Sequence, residues 1–500
     1  MSSSVARNLS RLGKDTFFYG MGSALQKFIG FFLFPIYTRV LSQEAFGTQD
    51  LVLTAVTITS YFLILGLDSG TARNYYDAET ASDRQKIVST YLFFELLISL
   101  PVSIALIIFS EPICVLLFRD SGLASYFRLA MASLPFTLIA GVTLLVMRLT
   151  FRSKAFAFTT ATGVLIQAVA SIYLVVILQM GVMGIFWASM LASVFRAVLG
   201  MGLTYKNFGL SFSMSWLKHM LSFGLPLVPA SISLWIMNYS NRYFLVRLGT
   251  LNDIGLLSVG SRVASIVIFV VTAFRTAWGP FAYSLVKDED MARKTYSRAL
   301  TYFLLVTLIA AASLSVFARE VILVLATPIY ESSASIVPLL ACSAIAWGGV
   351  IIVGIGYGIA KKSYHTTIAT ILAALVNIGL NFLLIPRWNI FGAATATLLG
   401  NLVALFYSYV ASRRYLRVEY ESRRILLLTG VVTIVIAVGR YIDQVISVWN
   451  LDVLFYKTVL YLAFLVSLYI MRIIKRQEVD LVCGYVGMKL ARFRANPNAD

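Results

Sequence analysis

The sequence predicts an all-α, polytopic membrane protein, and three observations carry that expectation. Apolar residues make up 59% of the 500 positions and charged residues only 13%, with a mean hydropathy of +0.83. The apolar residues gather into about 14 runs, each near the roughly 20 residues that cross a bilayer as a helix. Lysines and arginines fall in short clusters between alternate runs, the pattern of loops retained on the cytoplasmic side.

Each observation excludes something. A soluble domain is about a quarter charged, so this chain lacks the polar surface to remain in water, and no long polar stretch could build a separate catalytic domain. The formal net charge of +18 does not point to nucleic acid, because the basic residues lie between membrane runs and face anionic headgroups instead. The bilayer is therefore the first expected partner. Cys114, Cys342 and Cys483 are far apart and form neither a metal-ligand spacing nor a disulfide framework. His219 and His365 sit beside basic residues in predicted loops and are not expected to be ligands. No phosphate-cradling G-x-x-x-x-G-K-[ST] loop occurs, so neither nucleotide nor other cofactor is expected. Met1–Lys14 is polar and basic and leads into an apolar stretch running past Val40, which predicts no cleaved signal peptide.

In chain order the expected spans are 16–40, 48–70, 88–110, 123–147, 158–179, 183–204, 222–247, 254–282, 299–318, 333–359, 367–386, 391–411, 425–440 and 454–474. The thirteenth is short, and the first carries Gln26 and Lys27. With the N-terminus inside, most of the 41 lysines and arginines fall on the cytoplasmic side. Arg119, Arg319 and Arg387 are among the few left outside. Both termini are thus predicted to be cytoplasmic.

The chain also repeats itself. Arg39 is followed by Gly47 in RVLSQEAFG, and Arg247 by Gly255 in RLGTLNDIG, an offset of 208 residues. The same offset relates Gly184 to Gly392, Ala161-Thr162 to Ala369-Thr370, and Lys154 to Lys362. A duplicated six-helix unit explains this, and an even number of helices makes the halves parallel repeats. The expected organisation is a cytoplasmic N-terminus (1–15), an N-lobe (16–204), a cytoplasmic linker (205–221), a C-lobe (222–411), two further helices (412–474) and a cytoplasmic tail (475–500). Two such lobes around a central cavity make a transporter shape, with substrate held between the repeats.

Ionisable residues inside spans cost about 2.5–3.5 kcal/mol each on insertion scales and usually face a cavity. The intramembrane cations are Lys27, Arg196, Arg242, Arg262 and Arg275, with Arg39 and Arg247 at outer helix ends and Arg73 closing the second span. The acids are fewer: Asp68 in the second span and Glu95 in the third. A cavity with this balance attracts an anion, and the planar guanidinium fork suits phosphate. Arg39 and Arg247 could equally snorkel to the interface, and Arg73 could belong to the basic inner loops. Asp68 and Glu95 are candidates either for ion coupling or for structural pairing with a cation. Asn238, Tyr239 and Asn241, beside Arg242, either line a polar cavity or hydrogen-bond neighbouring helices. Pro35, Pro226, Pro229 and Pro280 bend or end the first, seventh and eighth spans.

One long stretch carries a resemblance. FGLPLVPASISLWIMNYSNRYFLVRLGTLNDIGLLSVGSRVASIVIFVVTAFRTAWGPFAYS, from Phe223 to Ser284, resembles the start of the second lobe in the polysaccharide flippase family. That family belongs to the multidrug/oligosaccharidyl-lipid/polysaccharide exporter superfamily. NIGLNFLLIPRWNIFGAATATLLGN is similar to its eleventh and twelfth helices, and RVLSQEAFGTQDL to the turn after its first. The likeness covers about residues 10–420. It implies a flippase that moves undecaprenyl-pyrophosphate-linked oligosaccharides between leaflets of a bacterial or archaeal cytoplasmic membrane by alternating access, coupled to a proton or sodium gradient. It further implies that Lys27, Arg262 and Arg275 sit where relatives carry cavity cations, and that a polysaccharide polymerase and other assembly proteins are partners. Three alternatives stay open: a flippase for the peptidoglycan precursor, a multidrug exporter on the same fold, and a membrane-embedded glycosyltransferase. The cation-rich spans disfavour drug cations, and the short outer loops disfavour the glycosyltransferase.

Overall fold

A computed structural model of the chain describes residues 32–286, 288–446 and 451–473. Among them there is no strand, and helices follow one another through short turns. Residues 32–40 are helical (α1). Then come α2 (Gln43–Ile64), α3 (Leu67–Asp77), α4 (Ala81–Ile108), α5 (Ser110–Phe118), α6 (Ala124–Leu149), α7 (Ser153–Ser171) and α8 (Gly181–Thr204). A short α9 (Met214–Gly224) leads into α10 (Val228–Leu248), α11 (Leu251–Ser284), α12 (Glu289–Val316) and α13 (Ala318–Leu325). The chain continues through α14 (Val337–Val353), α15 (Ile355–Ile359), α16 (Tyr364–Ser412), α17 (Ser422–Val445) and α18 (Leu451–Ile470).

Eleven helical stretches are long and apolar enough to span a membrane, and the bent pair Pro328–Ser335 plus Val337–Val353 makes up to 12 among the described residues. The 49-residue α16 is two expected spans run together, broken at Asn389, whose φ of 46° and ψ of −125° are not helical. Counted so, each span expected from the second to the fourteenth has its helix. Most of the first lies outside the described residues, as do Lys27, Lys287, Cys483 and the tail. Only 22–61% of each apolar window is buried within the protein, so the rest of that apolar surface faces lipid, as a multi-pass membrane protein requires.

Two expectations of loop structure are corrected. His219 lies on α9, its Nδ1 2.7 Å from the Ser215 carbonyl oxygen. His365 opens α16, buried, with Nδ1 2.8 Å from the Tyr407 hydroxyl and Nε2 3.1 Å from that of Tyr415. Basic neighbours made both look like loop residues, yet each belongs to the first turns of an amphipathic or membrane helix.

The helices group into two compact units. The first holds the chain through Arg262 together with Ile322–Ile336 and Thr366–Val403. The second holds Val263–Val321, Val337–His365 and the chain from Ala404. Within the first unit the 208-residue offset is visible as geometry. Ser42 caps α2 by accepting from the Ala45 N–H, and Thr250, 208 residues on, accepts from the Asp253 N–H at the start of α11. The two helices then cross at their first turns. A Cβ on Gly47 would lie 2.1 Å from the Leu251 carbonyl oxygen, and one on Gly255 would lie 2.2 Å from that of Gln43. The contact is reciprocal between equivalent residues, as symmetry about a pseudo-two-fold axis demands. Gly181 and Asn389, again 208 apart, both take positive φ, at 57° and 46°.

Candidate functional site

The α2–α11 crossing positions the charged groups of the first unit. Asp50 lies three residues beyond Gly47, nearly one turn along α2 and so on a neighbouring part of the same face. α10 packs against α2, its Trp235 Nε1 donating to the Thr54 carbonyl at 3.3 Å. This brings Arg242 to Asp50: Nε donates to Oδ2 at 2.8 Å, with both side chains largely buried. Arg242 Nη1 also donates to the Asn238 carbonyl at 2.6 Å, and its guanidinium stands 5.5 Å from the Tyr239 ring centre. Arg262, on α11, is half-buried with its guanidinium 4.8 Å from the Phe46 ring and 5.6 Å from Phe34. Asp50 and Tyr37 are close enough to act on its charge. Phe46 in turn meets Tyr330 edge-on at 6.0 Å.

Two guanidiniums thus share the neighbourhood of one carboxylate, and one of them rests on an aromatic floor. Stacking on a ring uses the flat face of arginine and not the N–H edge with which it grips phosphate oxygens. The chemistry suits an anion whose oxygens lie in a compact group.

Behind Arg242 lies a neutral polar knot. Asn241 Nδ2 donates to the Thr397 hydroxyl at 2.8 Å and the Ala393 carbonyl at 3.2 Å. Asn381 Nδ2 donates to Asn241 Oδ1 at 2.8 Å and to Asn377 Oδ1 at 3.1 Å, while Ser240 donates to Asn377. Asn241 therefore hydrogen-bonds neighbouring helices, one of the two roles its position allowed. Asn238 is exposed and donates to the Leu234 carbonyl.

The remaining predicted residues lie elsewhere. Arg39 is exposed and 3.5 Å from the Val324 carbonyl. Arg73 is exposed and pairs with Asp77 at 3.2 Å. Arg275 belongs to the second unit, its guanidinium 6.0 Å from the Trp347 ring. Asp68 is exposed at the start of α3, and Glu95 is buried midway along α4. Lys27 is outside the described residues. Among the described residues no three His, Cys, Asp or Glu gather to hold a metal.

Sequence reasoning missed Asp50, which stands at the edge of the second expected span and reads as an interfacial charge. It also missed a second cluster. In the second unit Lys457, fully buried, reaches both oxygens of Glu320 (2.7 and 2.9 Å) and Asp443 at 2.6 Å. Arg319 flanks Asp443 at 3.9 Å and donates to the Ile446 carbonyl at 3.3 Å.

Comparison with known proteins places this geometry. Residues 36–335 match the family described as polysaccharide biosynthesis protein. The Lsg locus putative protein 1 of Haemophilus influenzae is 23% identical over 300 residues, 59% of this chain and 71% of that one. Among solved structures, the lipid II flippase MurJ in an inward closed conformation superposes with a TM-score of 0.72 at 15% identity, covering 91% of this chain and 98% of that one. An inward-facing multidrug resistance MATE family transporter of the MOP superfamily superposes at 0.63 with 16% identity, covering 81% and 96%.

Proposed function

Because this chain belongs to the polysaccharide biosynthesis protein family, we propose that it is a flippase for lipid-linked oligosaccharides, with the undecaprenyl-pyrophosphate-linked repeat unit of a surface polysaccharide as its cargo. One observation carries the reading: Arg242 pairs with Asp50 inside membrane helices, and Arg262 stands close enough for Asp50 to act on its charge. The cargo is a pyrophosphate diester, and a pair of oriented guanidiniums at low dielectric is the arrangement that holds such a group. Asp50 holds Arg242 in orientation. The Phe34 and Phe46 rings pack against the Arg262 guanidinium. Arg39 and Arg73 help draw the anion from the interface.

In this reading the chain works by alternating access in the cytoplasmic membrane, with both termini inside, as its basic loops favour. Its two six-helix lobes are 16–204 and 222–411. It performs no covalent chemistry, and it hands its cargo to polymerase and other assembly proteins.

A flipping assay in proteoliposomes tests this, using a fluorescent polyprenyl-pyrophosphate saccharide and comparing wild type with Arg262→Ala. Protein-dependent flipping that the variant loses is the expected result. Flipping that survives in the variant would remove Arg262 from the site and leave the function. Failure of folded wild type to flip any such lipid would defeat the proposal, and efflux of cationic drugs from a sensitised host would replace it. The peptidoglycan-precursor role differs in the cell: it makes the gene essential, whereas a surface-polysaccharide role leaves it dispensable.

A further inference from the structure

Helix α4 carries a polar line that cargo binding does not use. Tyr91, Glu95, Ser99 and Ser103 recur every fourth residue, so they share one side of the helix, about 6 Å apart along its axis. All four are buried, Glu95 to 1% exposure. Neither carboxyl oxygen of Glu95 has a partner in hydrogen-bonding geometry, nor do the hydroxyls of Ser99 and Ser103. These serines do not fold back onto the carbonyl one turn earlier, the usual refuge of a helical hydroxyl.

Among the described residues, the surroundings of Glu95 supply no paired counter-charge. The Tyr91 hydroxyl approaches from one turn away, and Asp68 on α3 is near enough to repel. From α6, Arg148 acts on Tyr91. Among the described residues no lysine or arginine forms an ion pair with Glu95. An ionised carboxylate so placed is costly, and unsatisfied hydroxyls in a row invite water. The line has two wet ends. Asp68 is exposed beside Tyr91. One heptad beyond Ser103, Ser110 accepts from Arg128 Nε at 2.6 Å, and Arg128 pairs with exposed Glu111 at 2.7 Å.

We propose that Glu95 is the proton-carrying group of the transport cycle, reached from water along the Tyr91, Ser99 and Ser103 hydroxyls. A proton from one aqueous side forms an O–H bond on the Glu95 carboxylate and is later released to water on the other side, and no other bond changes. The charge of Glu95 alters the cost of burying α4 against α6, which it packs, and so biases one conformation over another. A metal ion would need more oxygen ligands than one carboxylate and a serine one turn away provide. The inference rests on the flippase reading for its physiological role, but proton binding itself does not.

Two measurements separate these. Infrared titration of purified protein should show the carbonyl band of a buried, protonated carboxyl that Glu95→Gln removes and Asp68→Asn retains. A band absent from wild type, or unchanged in Glu95→Gln, overturns the proposal whatever the cargo. In proteoliposomes, wild type should flip faster under a pH gradient and not under a sodium gradient. Glu95→Gln should flip at one rate with or without the pH gradient, and Ser99→Ala should show a reduced response. Gradient-independent or sodium-driven flipping by wild type overturns the coupling role and leaves the flippase reading. An intact infrared band with no flipping overturns the flippase reading and leaves the proton site.

Discussion

Two charged clusters lie inside membrane helices of this protein, one in each compact unit, and they differ in exposure. In the second unit Lys457 is sealed from solvent and reaches both Glu320 and Asp443, with Arg319 beside Asp443. In the first unit Arg242 and Arg262 attend one Asp50, and Arg262 is only half-buried. A lysine sealed against two carboxylates has nothing to offer a ligand and instead fastens α17 and α18 to α13. A cluster that is partly open can present its charge to something outside itself. Intramembrane charge is costly in both places, but it serves cohesion in one and recognition in the other. The C-terminal helix pair, which sequence places outside the repeat, is thus tied by ion pairs to α13.

The comparison breaks most readily at Lys457. Lys457→Met strands the buried Glu320 carboxylate and leaves Asp443 with Arg319 at 3.9 Å, and removing one partner of a buried ion pair costs about 3–5 kcal/mol. The expected outcome is a large drop in thermal unfolding midpoint in detergent. Adding Glu320→Gln and Asp443→Asn should restore most of it, because neutral partners need no counter-ion. A single variant as stable as wild type would show that the quartet does not fasten these helices.

Arg262→Ala should do the reverse. Asp50 keeps Arg242 as its partner at 2.8 Å, so that carboxylate is not stranded and the unfolding midpoint should fall less than in Lys457→Met. Flipping should fall by roughly ten- to a hundredfold, since a hydrogen bond to a charged group is worth about 1.5–3 kcal/mol. Arg262→Lys should recover part of the rate, keeping charge but losing the planar fork. If Arg262→Ala unfolds the protein as Lys457→Met does, the distinction between the clusters fails.

Gly47→Ala sharpens the contrast from the backbone side. Its Cβ would sit 2.1 Å from the Leu251 carbonyl oxygen, closer than any carbon can lie, so α2 and α11 must part. Overpacking of this kind costs about 1–3 kcal/mol, and here it also displaces Asp50 and Arg262. Both stability and flipping should fall. Gly141→Ala, which meets nothing within 4 Å, is the control and should change neither.

Much of this was legible in the sequence. Run length gave the helices, because a bilayer fixes how long an apolar segment must be. The 208-residue offset foretold equivalences seen at Ser42 and Thr250 and at Gly47 and Gly255. Arg242, Arg262 and Asn241 were recognisable because a polar side chain in an apolar run stands out. Their partners were not. Asp50 is 192 residues from Arg242, and Glu320 is 137 from Lys457, so no local spacing links them. Glu320 and Asp443 fall just past the ends of apolar runs and Lys457 just inside the start of one, where a charge reads as interfacial; only packing shows that they are buried together. Asn389 hid in a different way, since Pro386 and Gly392 mark a turn between two spans but not a positive φ at an asparagine.

The smallest effect is expected at Arg73, and it discriminates between two uses of a basic residue. Its side chain and that of Asp77 are both more than half exposed, in an i, i+4 pair at 3.2 Å. Such pairs contribute about 0.3–0.5 kcal/mol, so Arg73→Ala should leave thermal unfolding within the error of the measurement. If Arg73 draws the anionic headgroup from the interface, the variant should flip more slowly at low ionic strength and match wild type once salt screens the surface. A loss of flipping that salt does not erase would instead place Arg73 in direct contact with the cargo, and the recognition cluster would then extend beyond Arg242 and Arg262 to the end of α3.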